Sequence, residues 1–169
     1  MSDKLSAHLS WSEVLRGSGY TSLSDVPVEL REAMKRTAAE VFERLRAEAD
    51  VGGMKIISGL RSPRSNAAAK GARKSQHMVG TALDVRPISD PESGCVSVYD
   101  AASLMMDDGR LTRGGLCIYA FGSWDQPGDW RPRFVHVDRR GRRAKWSRLI
   151  RWSDGVARWT SLRRDNLIV

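Results

Sequence analysis

Residues 75–84 read Ser75-Gln76-His77-Met78-Val79-Gly80-Thr81-Ala82-Leu83-Asp84. One continuous helix would bring His77 and Asp84 roughly to one face, but Gly80 lies between them and disfavours it. The alternative is a turn at Gly80 followed by a strand, Thr81 to Val85, closed by Pro87, which folds Asp84 back towards His77. A second histidine stands in Phe134-Val135-His136-Val137-Asp138. Strand alternation there puts Phe134, His136 and Asp138 on one side. If the two strands pair, His77, Asp84 and His136 converge from separated segments.

Working outward, Pro27 opens a helix to about Ala49 with Leu30, Met34, Val41 and Leu45 as its apolar stripe, and Gly52-Gly53 stops it. Met54 to Ser58 reads as a short strand running into the turn Gly59-Leu60-Arg61-Ser62-Pro63. Asn66 to Lys74 reads as a short helix or an ordered loop. A second long helix is predicted from Val98 to Asp108, anchored by Ala102, Leu104, Met105 and Met106. Strands follow at Leu116 to Phe121 and Arg133 to Asp138, around a loop from Gly122 to Pro132. The order helix, strand, strand, helix, strand, strand predicts an α+β domain with a small, mainly antiparallel sheet flanked by helices.

The chain has 169 residues, 41% hydrophobic and 28% charged, which excludes wholesale disorder and fits one domain over residues 1–145 with a closing segment, 146–169. No apolar run approaches the ~20 residues of a membrane-spanning helix. The opening MSDKLSAHLSW lacks the apolar core of a Sec signal, so the expectation is a protein made in the cytoplasm without one. Cys95 and Cys117 lack the spacing of a zinc ribbon or a redox pair. One disulfide or two buried free thiols are both compatible, free thiols being expected in a reducing cytoplasm.

The formal charge is +8, and all of it falls after Asp138: residues 1–138 balance, while 139–169 carry ten basic groups against Asp154 and Asp165. Trp146, Trp152 and Trp159 follow at spacings close to one helical face. Packing with solvated arginines is the plain reading. An anchor to anionic envelope polymer or lipid comes next, and nucleic-acid binding last.

Two imidazoles and a carboxylate would leave an open position on a tetrahedral zinc, and zinc lowers the pKa of water there towards ~7, so the implied chemistry is hydrolysis. His77 and His136 could equally be satisfied structural histidines. Ser75-x-His77-x-x-Gly80-x-Ala82-x-Asp84 resembles the SxHxxGxAxD motif of the zinc D-alanyl-D-alanine peptidases, which include carboxypeptidases, murein endopeptidases and phage endolysins. Ser58-Gly59-Leu60-Arg61-Ser62 is similar to their S-G-[YF]-R-S segment, Gly114-Gly115-Leu116 to their G-G-[IV] strand start, and Phe134 to Asp138 to their F-V-H-V-D strand. Ser6-Ala7-His8-Leu9-Ser10 is similar to an S-x-H-F-S opening in the same branch.

The resemblance implies the fold shared by D-Ala-D-Ala peptidases and hedgehog domains. It also implies Zn2+ as cofactor, His77, Asp84 and His136 as its ligands, and Arg61 as the group stabilising the oxyanion. Ser75 and Gln76 become candidates for touching the substrate, the stem peptides of peptidoglycan. Many relatives carry a glutamate three residues before the last histidine, or a histidine two before it; here those positions hold Arg133 and Phe134. Asp138 is left as the candidate proton carrier, its alternative role being to fix an imidazole tautomer. The expected function is a peptidase acting on D-amino-acid bonds of the wall, encoded by a phage or prophage and reaching the wall through a holin or within a virion. The alternative is a wall-binding or virion subunit that keeps the zinc site with little catalysis.

Overall fold

The computed structural model describes residues 3–121, 131–153 and 156–162. A short helix α1 (Trp11–Leu15) is closed by a reciprocal cap between Ser10 and Glu13. The long helix begins as α2 (Val28–Thr37), widens into a π-helical turn over Ala38–Glu43, and ends as α3 (Arg44–Glu48). Then come β1 (Met54–Ser58), α4 (Pro63–Ala68), a 3-10 turn at Gln76–Val79, β2 (Ala82–Pro87), α5 (Pro91–Asp107), β3 (Gly115–Phe121) and β4 (Arg131–Asp138). Two further strands, β5 (Ala144–Ser153) and β6 (Val156–Leu162), complete the order.

The fold is α+β, as expected. Its six-stranded sheet has the order β1-β2-β4-β3-β5-β6, antiparallel except where β5 runs parallel to β3. Residues 144–153 and 156–162 are extended, so the helical face drawn through Trp146, Trp152 and Trp159 does not form. Most of the expected loop after Phe121 (122–130) lies outside the described residues. Helix α5 starts seven residues earlier than predicted. Asp90 caps it through the Glu92 and Ser93 N–H groups, and Pro91 occupies its first turn, where a missing N–H costs nothing. Leu104, expected in the core, is 57% exposed on that helix. Cys95 and Cys117 are buried and are not joined in a disulfide; burial lifts the Cys95 thiol to about 12, which keeps it protonated.

Period-2 alternation divides the sheet. On one face, Ile56, Val85, Val135 and Ile118 form a cross-strand row, and Leu83, Val137 and Leu116 form another. All seven are buried in the core shared with Met34, Leu45, Val98 and Met106 from the helices. Between those rows, on the opposite face, lies the row Ser58, Asp84, His136, Cys117. Ser58 belongs to it because the β1–β2 register slips between Ile56 and Ser58. That bulge turns a residue which would otherwise follow Ile56 into the core onto the other face.

The turn before β2 is tied to both neighbours. Gly80 takes a left-handed conformation (φ 70°) open to glycine at little cost. Its carbonyl lies 2.8 Å from the hydroxyl of fully buried Thr37, and that hydroxyl also accepts a 3.0 Å bond from Arg139 Nε. The Arg139 N–H donates to Thr81 O at 3.1 Å. Thr37 thereby links the wide turn of the long helix to the strand ends that carry the site. Thr37→Val keeps the shape but strands these buried partners. Urea unfolding is expected to show a loss of about 1–3 kcal/mol, and an unchanged midpoint would contradict this linkage.

Candidate metal centre

His77, Asp84 and His136 come together on the face opposite the core, all three buried. His77 Nε2 is 3.3 Å from His136 Nδ1 and 3.3 Å from Asp84 Oδ1, and His136 Nδ1 is 2.8 Å from Asp84 Oδ1. The cross-strand pairing of Asp84 with His136 fixes one side of this triangle, and the 3-10 turn after Ser75 brings in the other.

The remaining ring nitrogens decide what the three atoms can bind. His77 Nδ1 lies 2.7 Å from Gly59 O, which can only accept, so that nitrogen carries the proton and Nε2 presents a lone pair. His136 Nε2 lies 3.0 Å from Asp138 Oδ2 and donates to it, leaving Nδ1 facing Asp84. Two imidazole lone pairs and a carboxylate oxygen then crowd one point, an arrangement that requires a cation or a proton. For bonds of about 2.0–2.1 Å, a tetrahedral edge is about 3.3 Å, so the donor set and spacing fit zinc.

Arg61 sits beside this group as the resemblance implied. Its Nη2 donates to Asp84 Oδ2 at 3.0 Å and its Nε to Ser58 Oγ at 2.8 Å. Burial opposes the Asp84 charge, but His77 and His136 outweigh it and hold the carboxyl well below the usual range. Asp138 is on the other side of the His136 ring from the donor triangle. Its Oδ1 accepts from Gly115 N–H at 2.8 Å and from Arg140 N–H at 3.1 Å, while Arg140 Nη2 and Nε reach Oδ2. Fully buried and saturated with donors, with burial outweighed by His136 and Arg140, it stays ionised. This geometry goes against the proton carrier expected from strand alternation: sharing a face with His136 puts Asp138 behind the imidazole.

The site opens into a cavity of about 500 Å3, bordered by Arg61, Ser75, Gln76, Tyr119, Phe134 and Arg140. Tyr119 and Phe134 stack with ring centroids 4.5 Å apart, forming an aromatic wall in the column of His136 and Cys117. Ser75 and Gln76 both border the cavity, and Gln76 Oε1 accepts from Thr81 Oγ1 at 2.9 Å, which also ties down the turn. Cys117 is not part of the donor group. His8 lies elsewhere, paired with Glu43 at 2.7 Å. Sequence reading missed Gly59 O, Ser58, Tyr119 and Arg140. Arg140 had been counted with the basic tail. It clamps Asp138, just as Arg139 pairs with Glu40 and Arg143 with Asp107.

Without metal, burial opposes a charge on His136, but its bonds to Asp138 and Asp84 prevail and raise the ring to about 9 from an ordinary 6.5. A raised folded pKa stabilises the metal-free protein fully below ~6.5, and that contribution is lost as pH climbs through about 9. A metal must displace this proton. Zinc titration calorimetry at pH 7 in buffers of different ionisation enthalpy is expected to show about one proton released, with affinity rising towards pH 9. Proton-neutral binding would contradict a protonated His136 in the metal-free protein.

A family model described as Peptidase M15 matches residues 8–110. The match includes Arg61, His77 and Asp84, whereas His136 lies beyond it and joins the group through strand pairing. No curated protein matches the chain. The match over more than half the sequence, with a buried His-Asp-His group where the motif places it, makes the chain a member of the peptidase M15 family, the zinc-dependent D-alanyl-D-alanine peptidases.

Proposed function

We propose that this protein is a zinc peptidase hydrolysing D-amino-acid-containing peptide bonds in the stem peptides of bacterial peptidoglycan, as a carboxypeptidase or an endopeptidase. The observation that carries the reading is the convergence of His77 Nε2, Asp84 Oδ1 and His136 Nδ1 at the edge of an open cavity. When bound there, zinc supplies a Lewis acid for the scissile carbonyl and acidifies water.

The protein's own groups do the rest. Asp138 holds the proton on His136 Nε2, and Gly59 O holds the one on His77 Nδ1, so both rings offer the correct nitrogen without reorganising. Arg61, oriented by Ser58 and Asp84, offers its guanidinium to the charge developing on the carbonyl oxygen. Tyr119 and Phe134 shield one side of the cleft. Ser75 and Gln76 border the path of the peptide chain. Origin in a phage or prophage, with access to the wall through a holin or within a virion, accords with this chemistry.

A second reading has its own observation. Among the described residues, the only carboxylate bordering the cavity is Asp84, already a donor to the metal group, so no free general base stands there. A wall-binding or virion subunit retaining zinc with little catalysis fits that fact.

Mass analysis of muropeptides after digestion of purified walls with the zinc-loaded protein separates the two readings. New stem-peptide fragments, lost on chelation and in His136→Ala, are expected from the peptidase. Wall binding without fragments would support the alternative. Arg61→Ala is expected to lower kcat by about 10²–10³ with zinc content unchanged. Asp138→Asn is expected to weaken zinc binding by about 10–100-fold, measured by competition with a chromogenic chelator. An Asn variant with unchanged zinc affinity but no turnover would return Asp138 to proton transfer.

A further inference from the structure

The cleft holds four cationic side chains, and they divide into two kinds. Arg61 and Arg140 are each committed to a buried carboxylate, Asp84 and Asp138. Lys70 and Lys74 border the same cavity and meet no carboxylate among the described residues. Both lie on the loop that leads from α4 to Ser75 and the ligand turn.

That loop has a defined shape. Lys70 adopts a left-handed backbone (φ 50°), one of only two non-glycine residues among those described to do so. Its N–H donates to Ala67 O and that of Gly71 to Asn66 O, which closes α4. Buried Asn66 supports the loop from beneath, its Nδ2 donating to Ala72 O at 3.1 Å. A side chain at Gly71 would come within 2.1 Å of Asn66 Oδ1, so only glycine allows this approach. The loop closes on the Ser75 N–H bond to Ala72 O. A strained backbone held in one shape presents two ammonium groups, without a carboxylate partner among the described residues, to the space where a peptide must lie.

We propose that Lys70 and Lys74 form a carboxylate-binding rim, so that the cleft selects peptides bearing a free carboxylate close to the bond that is cut. This rests on the peptidase reading and assigns to it two residues that determine specificity. An ammonium is a compact charge that pairs with a carboxylate in varied geometries, which suits a rim rather than a bidentate clamp. The carboxylate can be the peptide's C-terminus or an acidic side chain within it.

The test uses the zinc-loaded full chain and three versions of one stem peptide: all carboxylates free, only the acidic side chain amidated, and only the C-terminus amidated. For the fully free peptide, the double variant K70A/K74A is expected to raise KM about tenfold with kcat within about twofold, while K70R/K74R stays near the native value. One of the amidated peptides is expected to show the same rise with the native protein and no further rise with K70A/K74A, which identifies the carboxylate. An unchanged KM in K70A/K74A, or an equal rise for all three peptides, overturns the proposal. If the native protein cleaves none of the peptides, the peptidase reading fails separately. Calorimetric affinities of the same peptides for native and K70A/K74A protein then decide the rim by themselves. Unfolding midpoints of the variants exclude a folding defect.

Discussion

The structure depends on keeping one carboxylate, that of Asp84, ionised and nearly out of water. A buried charge without partners would cost several kcal/mol. Here Arg61 takes one oxygen and the two imidazoles crowd the other. Each partner comes from a different element: the turn after β1, the 3-10 turn before β2, and the middle of β4. Satisfying Asp84 therefore requires the sheet to be assembled in a single register. A one-residue slip would send His136 to the core face and Val135 or Val137 to the cleft.

Around that centre, the fold uses its irregular features for aim. The bulge in β1 turns Ser58 towards Arg61, and the left-handed Gly80 folds the ligand turn over the end of β2. The π-helical turn follows directly on Thr37, whose hydroxyl ties the long helix to Gly80 and Arg139. Basic residues just past Asp138 serve the same end. The positive charge that begins at Arg139 is in its first members a set of ion pairs, with Arg140 bordering the cavity itself. Counting places the excess charge after Asp138, and the structure shows that its first members are engaged with carboxylates of the domain.

Much of the site was legible because its residues lie in short, ordered motifs. Glycine at position 80 disfavours a helix, and alternation in Phe134 to Asp138 identifies the strand. Strands β5 and β6 were not legible, since arginine and tryptophan spaced by six and seven residues fit a helical face as well as an extended ribbon. The early start of α5 was hidden by Ser93 and Gly94, whose propensities read as loop although Asp90 and Pro91 supply a start signal. The role of Asp138 was left between proton transfer and fixing a tautomer for a more basic reason. Alternation says which face a side chain takes but not which nitrogen of a neighbouring ring it meets.

By itself, the sequence determined the α+β class, the three donor residues and Arg61 as their companion, because residue type, local periodicity and motif order are properties of the chain. Only the tertiary structure decided which atoms of those residues meet, that Asp138 stands behind His136, and that Lys70 and Lys74 share a cavity with the metal group. Those facts follow from pairing between distant segments, His77 and His136 alone being 59 residues apart. Hydrogen-bond partners and uncompensated charge are defined only once those segments have met.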